Sequence, residues 1–270
     1  MVEWKREEKF DFKDIIYEKK YFENGGVGRI TINNPKKRNA LTKNAFLEMH
    51  DALDDSNYEP EIGVVVLTGA GDKAFCSGAD MAFESSADYR RYFSSPNLTQ
   101  YYLRQMKKPV IAAVKGFAIG YGNHLAYFCD LTVAAENAVF GQTGPLVASP
   151  AHGYVVSYLS RIIGAKRARE MWMLCRRYDA RQALDMGLVN CVVPLDEFDD
   201  EVEKWCKEIL EKSPICISLL KASFDGDIDY MRGDWSQLLM EMAPDHFESE
   251  EIQEAHKAFF EKRKPKFKRS

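Results

Sequence analysis

The chain has 270 residues, room for one large α/β domain, alone or with a helical appendage. Hydrophobic residues make up 46% of it and charged residues 29%, which supports a sizeable core and excludes wholesale disorder. A net charge of −4 gives no general attraction to nucleic acid, so no nucleic-acid partner is expected.

The first residues, Met1–Glu8, are charged and carry no apolar signal core. No apolar run approaches the roughly 18 to 20 residues of a membrane span, so no membrane partner is expected. Residues 15–23 and 27–33 read as a hairpin joined across Asn24-Gly25-Gly26. Asn33-Asn34-Pro35 breaks its second strand, and Thr42 then caps a helix with Phe46, Met49 and Leu53 on one face. The β-branched run Ile62–Gly69 has the pattern of a strand buried on both faces. Similar runs follow at 109–114 and 131–135, with helical spacing at 98–106 and 122–129 and a short strand at 138–142. Strands alternating with helices imply βαβ units and a parallel sheet. The polar segment Ala82–Asn97 reads as a mobile loop or a surface helix. Beyond about residue 153 the pattern turns helical, through 154–163, 165–174, 180–186 and 195–213. The six cysteines are scattered without a C-x-x-C pair, as for free thiols in a reducing compartment, and a cytoplasmic protein is expected. The basic tail from Lys262 to Arg269 reads as a solvated end or a local phosphate contact.

Two glycine-bearing turns stand directly after buried strands: Ala74-Phe75-Cys76-Ser77-Gly78-Ala79-Asp80, and Gly116 to His124 opening a helix. Such glycines permit tight turns and close packing. A helix start at the carboxyl end of a parallel sheet also suits an anion or a developing oxyanion. Metal-binding spacings and a serine nucleophile elbow are missing from the sequence, and no metal is expected.

These strings, with Pro109–Gly120, Cys129-Asp130-Leu131, Phe140-Gly141-Gln142 and Ala183–Asn190, resemble the enoyl-CoA hydratase/isomerase (crotonase) superfamily along essentially the whole chain. Gly141–Pro145, Ala168–Trp172 and Glu261–Pro265 look most like dihydroxynaphthoyl-CoA synthases and alicyclic ketoacyl-CoA ring-cleaving hydrolases. The resemblance implies an α/β crotonase spiral of ββα units over residues 1–200. It also implies a helical C-terminal trimerisation region over 201–270, and a homotrimer or homohexamer. The substrate would be an acyl-CoA, with no separate cofactor. Its thioester oxygen would accept hydrogen bonds from the backbone N–H groups of Ala79 and Tyr121. Arg38 and Ala40 would lie in the CoA channel, and Ser77, Gly78, Gly120 and Gly144 beside the thioester and acyl group.

The glutamate pair of the hydratases falls on His124 and Gly144, the aspartate of the naphthoyl synthases on Ala151, and their tyrosine on Phe247. Two histidines, His124 and His152, are therefore the expected acid–base groups, since imidazole titrates near about 6.5. A packed histidine beside Tyr121 and Leu125 is the competing reading of His124. Ser149 and Tyr154 could orient a water or a ring oxygen, although aromatic packing also accounts for both Tyr121 and Tyr154. The expected reaction is hydration or dehydration of an unsaturated, cyclic acyl-CoA. The rivals are naphthoyl-type ring closure, hydrolytic ring opening of a ketoacyl-CoA, and non-catalytic CoA-ester binding.

Overall fold

The computed structural model describes residues 3–93, 98–149, 151, 153–224, 226 and 245–267. Its strands are β1 (Lys5–Arg6), β2 (Ile15–Phe22), β3 (Gly25–Ile32), β4 (Ile62–Gly69), β5 (Ala74–Cys76), β6 (Val110–Val114), β7 (Phe117–Ile119), β8 (Leu131–Ala135), β9 (Val139–Gly141), β10 (Arg177–Asp179) and β11 (Cys191–Val193). They form a seven-stranded sheet in the order β1-β2-β3-β4-β6-β8-β11 and a four-stranded sheet in the order β10-β9-β7-β5. In the larger sheet the first three strands pair antiparallel and all later neighbours pair parallel. Each of β4, β6 and β8 is followed by a short strand of the smaller sheet, so successive turns of the chain lay down both sheets together. This is the crotonase spiral.

The helices are α1 (Lys43–Tyr58), α2 (Met81–Glu84), α3 (Ala87–Phe93), α4 (Thr99–Gln105), α5 (Tyr121–Phe128), α6 (Tyr154–Ile163), α7 (Ala165–Leu174), α8 (Ala180–Asp185), α9 (Phe198–Leu210), α10 (Pro214–Ser223) and α11 (Glu250–Phe260). Thr42 caps α1 as its position predicts, its hydroxyl accepting from Ala45 N at 3.0 Å. Side chains alternate across a strand, and in β4 both sets are buried. Val65 and Leu67 join one core with α1 and α5, while Val64 and Val66 join a second core with Phe198, Val202 and Cys206 of α9. Burying each such valine or leucine contributes about 1.5–3 kcal/mol.

Of the two readings of Ala82–Asn97, the helical one holds over α2 and α3, which Ser85 and Ser86 join, but the helices are packed rather than solvated. Phe83 and Tyr92 stand 5.9 and 4.9 Å from the Phe46 ring, a packing that the polar neighbours conceal in the sequence. Residues 94–97 lie outside the described residues. The domain boundary expected at residue 200 falls inside α9, which is core to the large sheet. Beyond it, α10 exposes Ile215, Leu219 and Leu220, and Phe224 is exposed just past its end. Helix α11 docks Ile252 and Ala255 on Ala148, and Arg263 pairs with both oxygens of Glu254 at 2.6 and 2.9 Å.

Asp130 ties four elements together. Its carboxylate accepts from Lys221 of α10 at 2.7 Å, from Arg104 of α4 at 3.2 Å and from the Val110 amide of β6 at 2.8 Å, just ahead of β8. Burial lowers the Lys221 pKa, and Asp130 opposes that shift. Removing one partner of a buried ion pair typically costs about 3–5 kcal/mol, because the other charge stays uncompensated. Asp130→Ala is expected to lose that much in urea titration, and a loss under 1 kcal/mol would show that the pair holds nothing.

Candidate active site

The site begins with a clamp. Asn39 is fully buried, and its side-chain amide donates to Ala74 O at 2.6 Å and Ala70 O at 3.1 Å, while its Oδ1 accepts from Asn34 N at 3.0 Å. Those bonds hold Arg38 and Asn39 in consecutive left-handed conformations, with φ of 54° and 56°. The loop then lies along residues 77–80: Ser77 N donates to Arg38 O at 3.1 Å, Leu41 N to Gly78 O at 2.9 Å and Asp80 N to Leu41 O at 2.8 Å. Because the Gly78–Ala79 peptide is trans, a Gly78 carbonyl aimed at Leu41 aims the Ala79 N–H the opposite way. Among the described residues that N–H meets no acceptor.

The second amide comes from α5. Gly120 O accepts from His124 N at 3.1 Å, so the trans peptide that follows points the Tyr121 N–H out of the amino end of the helix. This end sits tight against β5. A Cβ on Gly122 would stand 2.0 Å from Cys76 O, which leaves room for glycine alone. A Cβ on Gly78 would stand 3.6 Å from Tyr121 N, so the two turns are neighbours.

Ala79 and Tyr121 both line one cavity of about 920 Å³. Its mouth is basic, with Lys36, Arg38, Arg177 and Lys262 at the rim. The Arg38 and Arg177 guanidinium groups lie 5.3 and 5.7 Å from the Phe117 ring. Phe259 and Phe260 of α11 complete the rim. Lys37 is committed elsewhere, 2.7 Å from Asp80. Burial would raise the Asp80 carboxyl, but Lys37 and the Ala82 amide outweigh it and hold its pKa below the usual value.

Deeper in, the cations give way to carboxyls and neutral rings. Asp80 caps α2, accepting from Ala82 N at 3.0 Å, and one turn later Glu84 lines the cavity. Burial raises the Glu84 carboxyl pKa, opposed by a hydrogen bond with Ser149. Burial, and then the nearby Glu84, push the Tyr89 phenol well up, while Ser149 pulls it back. On another wall, the His124 ring lies 5.5 Å from both Tyr121 and Trp172 and 5.6 Å from Tyr127. Burial pushes its imidazole down to about 3, against a smaller pull from Gln142. The ring is therefore neutral near pH 7.

The profile of the enoyl-CoA hydratase/isomerase family matches residues 22–270. The chain belongs to that family. A carnitinyl-CoA hydratase from Mycobacterium avium is 31% identical, with a TM-score of 0.79 over 94% of this chain and 98% of that one. An enoyl-CoA hydratase from Bacillus anthracis is 30% identical, with a TM-score of 0.71 over 95% and 99%. A methylmalonyl-CoA decarboxylase complexed with 2S-carboxypropyl CoA is 27% identical, with a TM-score of 0.84 over 96% and 99%. Members of the enoyl-CoA hydratase/isomerase family act on CoA thioesters.

For this family member, the cavity gathers Arg38, Ala40, Ser77, Gly78, Ala79, Gly120, Tyr121, His124, Gly144 and Ser149, all singled out from the sequence. Tyr154 is a correction. It is fully buried and packs 5.8 Å from Tyr101 and 5.6 Å from Tyr158, away from the cavity lining. His152 lies outside the described residues, as does the Phe247 side chain. His124 lines the cavity as expected, but its aromatic surroundings disfavour the imidazolium, so at neutral pH it is not a protonated acid. Glu84 was missed. Its signal was a carboxylate one helical turn beyond the Asp80 cap, inside a segment read only as polar. No group of three or more His, Cys, Asp or Glu among the described residues is placed to hold a metal ion.

Gly122→Ala must push α5 off β5 and misplace the Tyr121 amide. Losing one such donor typically costs roughly 100- to 1,000-fold in turnover. That loss is expected in kcat on the best thioester of a panel, and a Gly122→Ala enzyme with unchanged kcat would show that this contact does not set the amide.

Proposed function

We propose that the protein adds water to, or removes it from, the double bond of an unsaturated acyl-CoA, with Glu84 as the proton carrier. The observation that carries this reading is one cavity lined by two residues with outward-pointing amides and by a half-buried carboxyl of raised pKa. The thioester oxygen sits on the Ala79 and Tyr121 amides. The CoA moiety leaves past Arg38 and the other rim cations, whose forked or flexible donors suit phosphate. In the hydration direction the Glu84 carboxylate takes a proton from water and the hydroxyl adds to the β-carbon. The electron pair of the double bond moves onto the thioester oxygen as an enolate, and Glu84 returns its proton to the α-carbon. Dehydration is the same sequence reversed, and it too begins with an ionised Glu84. The complex of the decarboxylase relative with 2S-carboxypropyl CoA supports a CoA ester in this fold. The likeness of Gly141–Pro145 and Glu261–Pro265 to ring-handling relatives supports a cyclic acyl group. Ring closure and ketoacyl ring opening would share the same enolate. A purely CoA-binding role gives no reason for a half-buried carboxyl of raised pKa in the same cavity.

Glu84→Gln is expected to lower kcat roughly 100- to 10,000-fold with a smaller change in KM. The base form does the work, so kcat/KM should fall as pH drops through the raised Glu84 pKa. That limb lies above the usual carboxyl value of 4.5. Of the facing groups, Tyr89 and His124 are neutral through this range, and Asp80 stays ionised against Lys37. Incubating cyclic and linear enoyl-CoA esters in heavy-oxygen water and weighing the products checks the reaction. Ring-opened or ring-closed products without label at the β-carbon would replace hydration by the carbon–carbon reading.

The exposed row Ile215, Leu219, Leu220 and Phe224 supports assembly of copies through α10, as a trimer or a hexamer. Leu219→Glu is expected to shift the sedimentation profile to monomers, and an unchanged profile would move the interface elsewhere.

A further inference from the structure

The wall that carries His124 has a second property. His124 Nε2, both amide atoms of Gln142 and Trp172 Nε1 are buried and make no hydrogen bond within 3.5 Å among the described residues; the pull of Gln142 on His124 is a longer polar contact that leaves these atoms open to a closer partner. Native folds keep few such atoms. Here three side chains that line one cavity share the condition. Gln142 is 1% exposed and Trp172 8% exposed, so both are fixed in the wall rather than waving at its surface. The atoms are chemically mixed: the indole N–H and the Gln142 NH₂ donate, Gln142 Oε1 accepts, and a neutral imidazole nitrogen does either. None of them is charged, since burial keeps His124 neutral. The rim cations belong to the mouth, and the carboxyl of Glu84 is already bonded to Ser149.

We propose that His124, Gln142 and Trp172 form a subsite for an uncharged oxygen, a keto or hydroxyl group, on the acyl moiety of the thioester. The preferred substrates are then oxygenated acyl-CoA esters rather than plain hydrocarbon ones. This rests on the cavity being the acyl pocket, as above, but not on which reaction follows. A site built to hydrogen-bond a substrate oxygen discriminates strongly against the analogue lacking it, because its own polar atoms are then left buried and unpaired. A carboxylate is excluded by the same wall, which offers no cation to replace the lost water.

Binding without turnover separates this subsite from the reaction. Cyclohexanecarbonyl-CoA, its ring-keto and ring-hydroxy analogues and a ring-carboxylate analogue are titrated calorimetrically into the full-length protein. At least one of the two uncharged oxygenated esters is expected to bind 10-fold or more tighter than the hydrocarbon ester, and the carboxylate ester no tighter than it. Gln142→Leu and Trp172→Phe should each erase most of the difference. Gln142→Leu should also leave the Tm of the ligand-free protein unchanged or raised, because it removes unpaired polar atoms from a buried wall. Equal affinity for all uncharged esters overturns the proposal, as does a preference that survives both substitutions. Tightest binding of the carboxylate ester, or a fall in ligand-free Tm on Gln142→Leu, overturns it too. An enzyme that binds in the expected order yet never hydrates would sink the hydration reading and leave the subsite standing.

Discussion

The start of α5 against β5 is the constraint on which the site depends. Cys76 O occupies the space where any side chain at residue 122 would begin, so the helix can approach only through glycine. That approach sets the first helical amide beside the Gly78 turn. The turn in its turn is oriented by the pairing of Gly78 and Asp80 with Leu41, and Leu41 is positioned by the Asn39 clamp. Rigid trans peptides translate these bonds into direction: each carbonyl that is tied down fixes where the next N–H points. Preorganised amides of this kind need no rearrangement when charge develops, which is the source of their catalytic value.

Much of this was legible in the residues because it is local. The hairpin, the Thr42 cap and the doubly buried strand Ile62–Gly69 follow from turn chemistry and β-branched runs. The two glycine turns announced themselves by standing directly after strands. Glu84 and Tyr89 did not, because their segment is polar by composition and its packing sets Phe83 and Tyr92 against Phe46, a ring from a distant helix. Burial is a property of the fold, and it is burial that turns an ordinary glutamate into one of raised pKa. The same property narrowed the reading of His124, whose ordinary titration range says nothing of the rings around it. Tyr154 failed for a related reason: helix α6 starts at that residue and turns its ring into the core, so nearness in sequence to Ser149 does not carry over to the cavity.

Charge is graded from rim to interior. Cations stand where polyanionic phosphates would pass, and neutral amide, indole and imidazole groups stand where an acyl group would lie. Under the proposed reading, such a layout would keep the interior dielectric low and strengthen each hydrogen bond to a thioester oxygen. It would also keep the rim cations from fixing Glu84 in its ionised form.

Gly144 bears on how such a site can change over time. A side chain there would meet Ser149 O at 2.6 Å, because the loop that brings Ser149 to Glu84 folds back over that very position. Installing an acid at residue 144 and keeping Ser149 where it is are incompatible in one backbone. A lineage could not drift between the two arrangements by exchanging single residues. It would have to rebuild the loop first, and pass through forms in which Ser149 no longer meets Glu84.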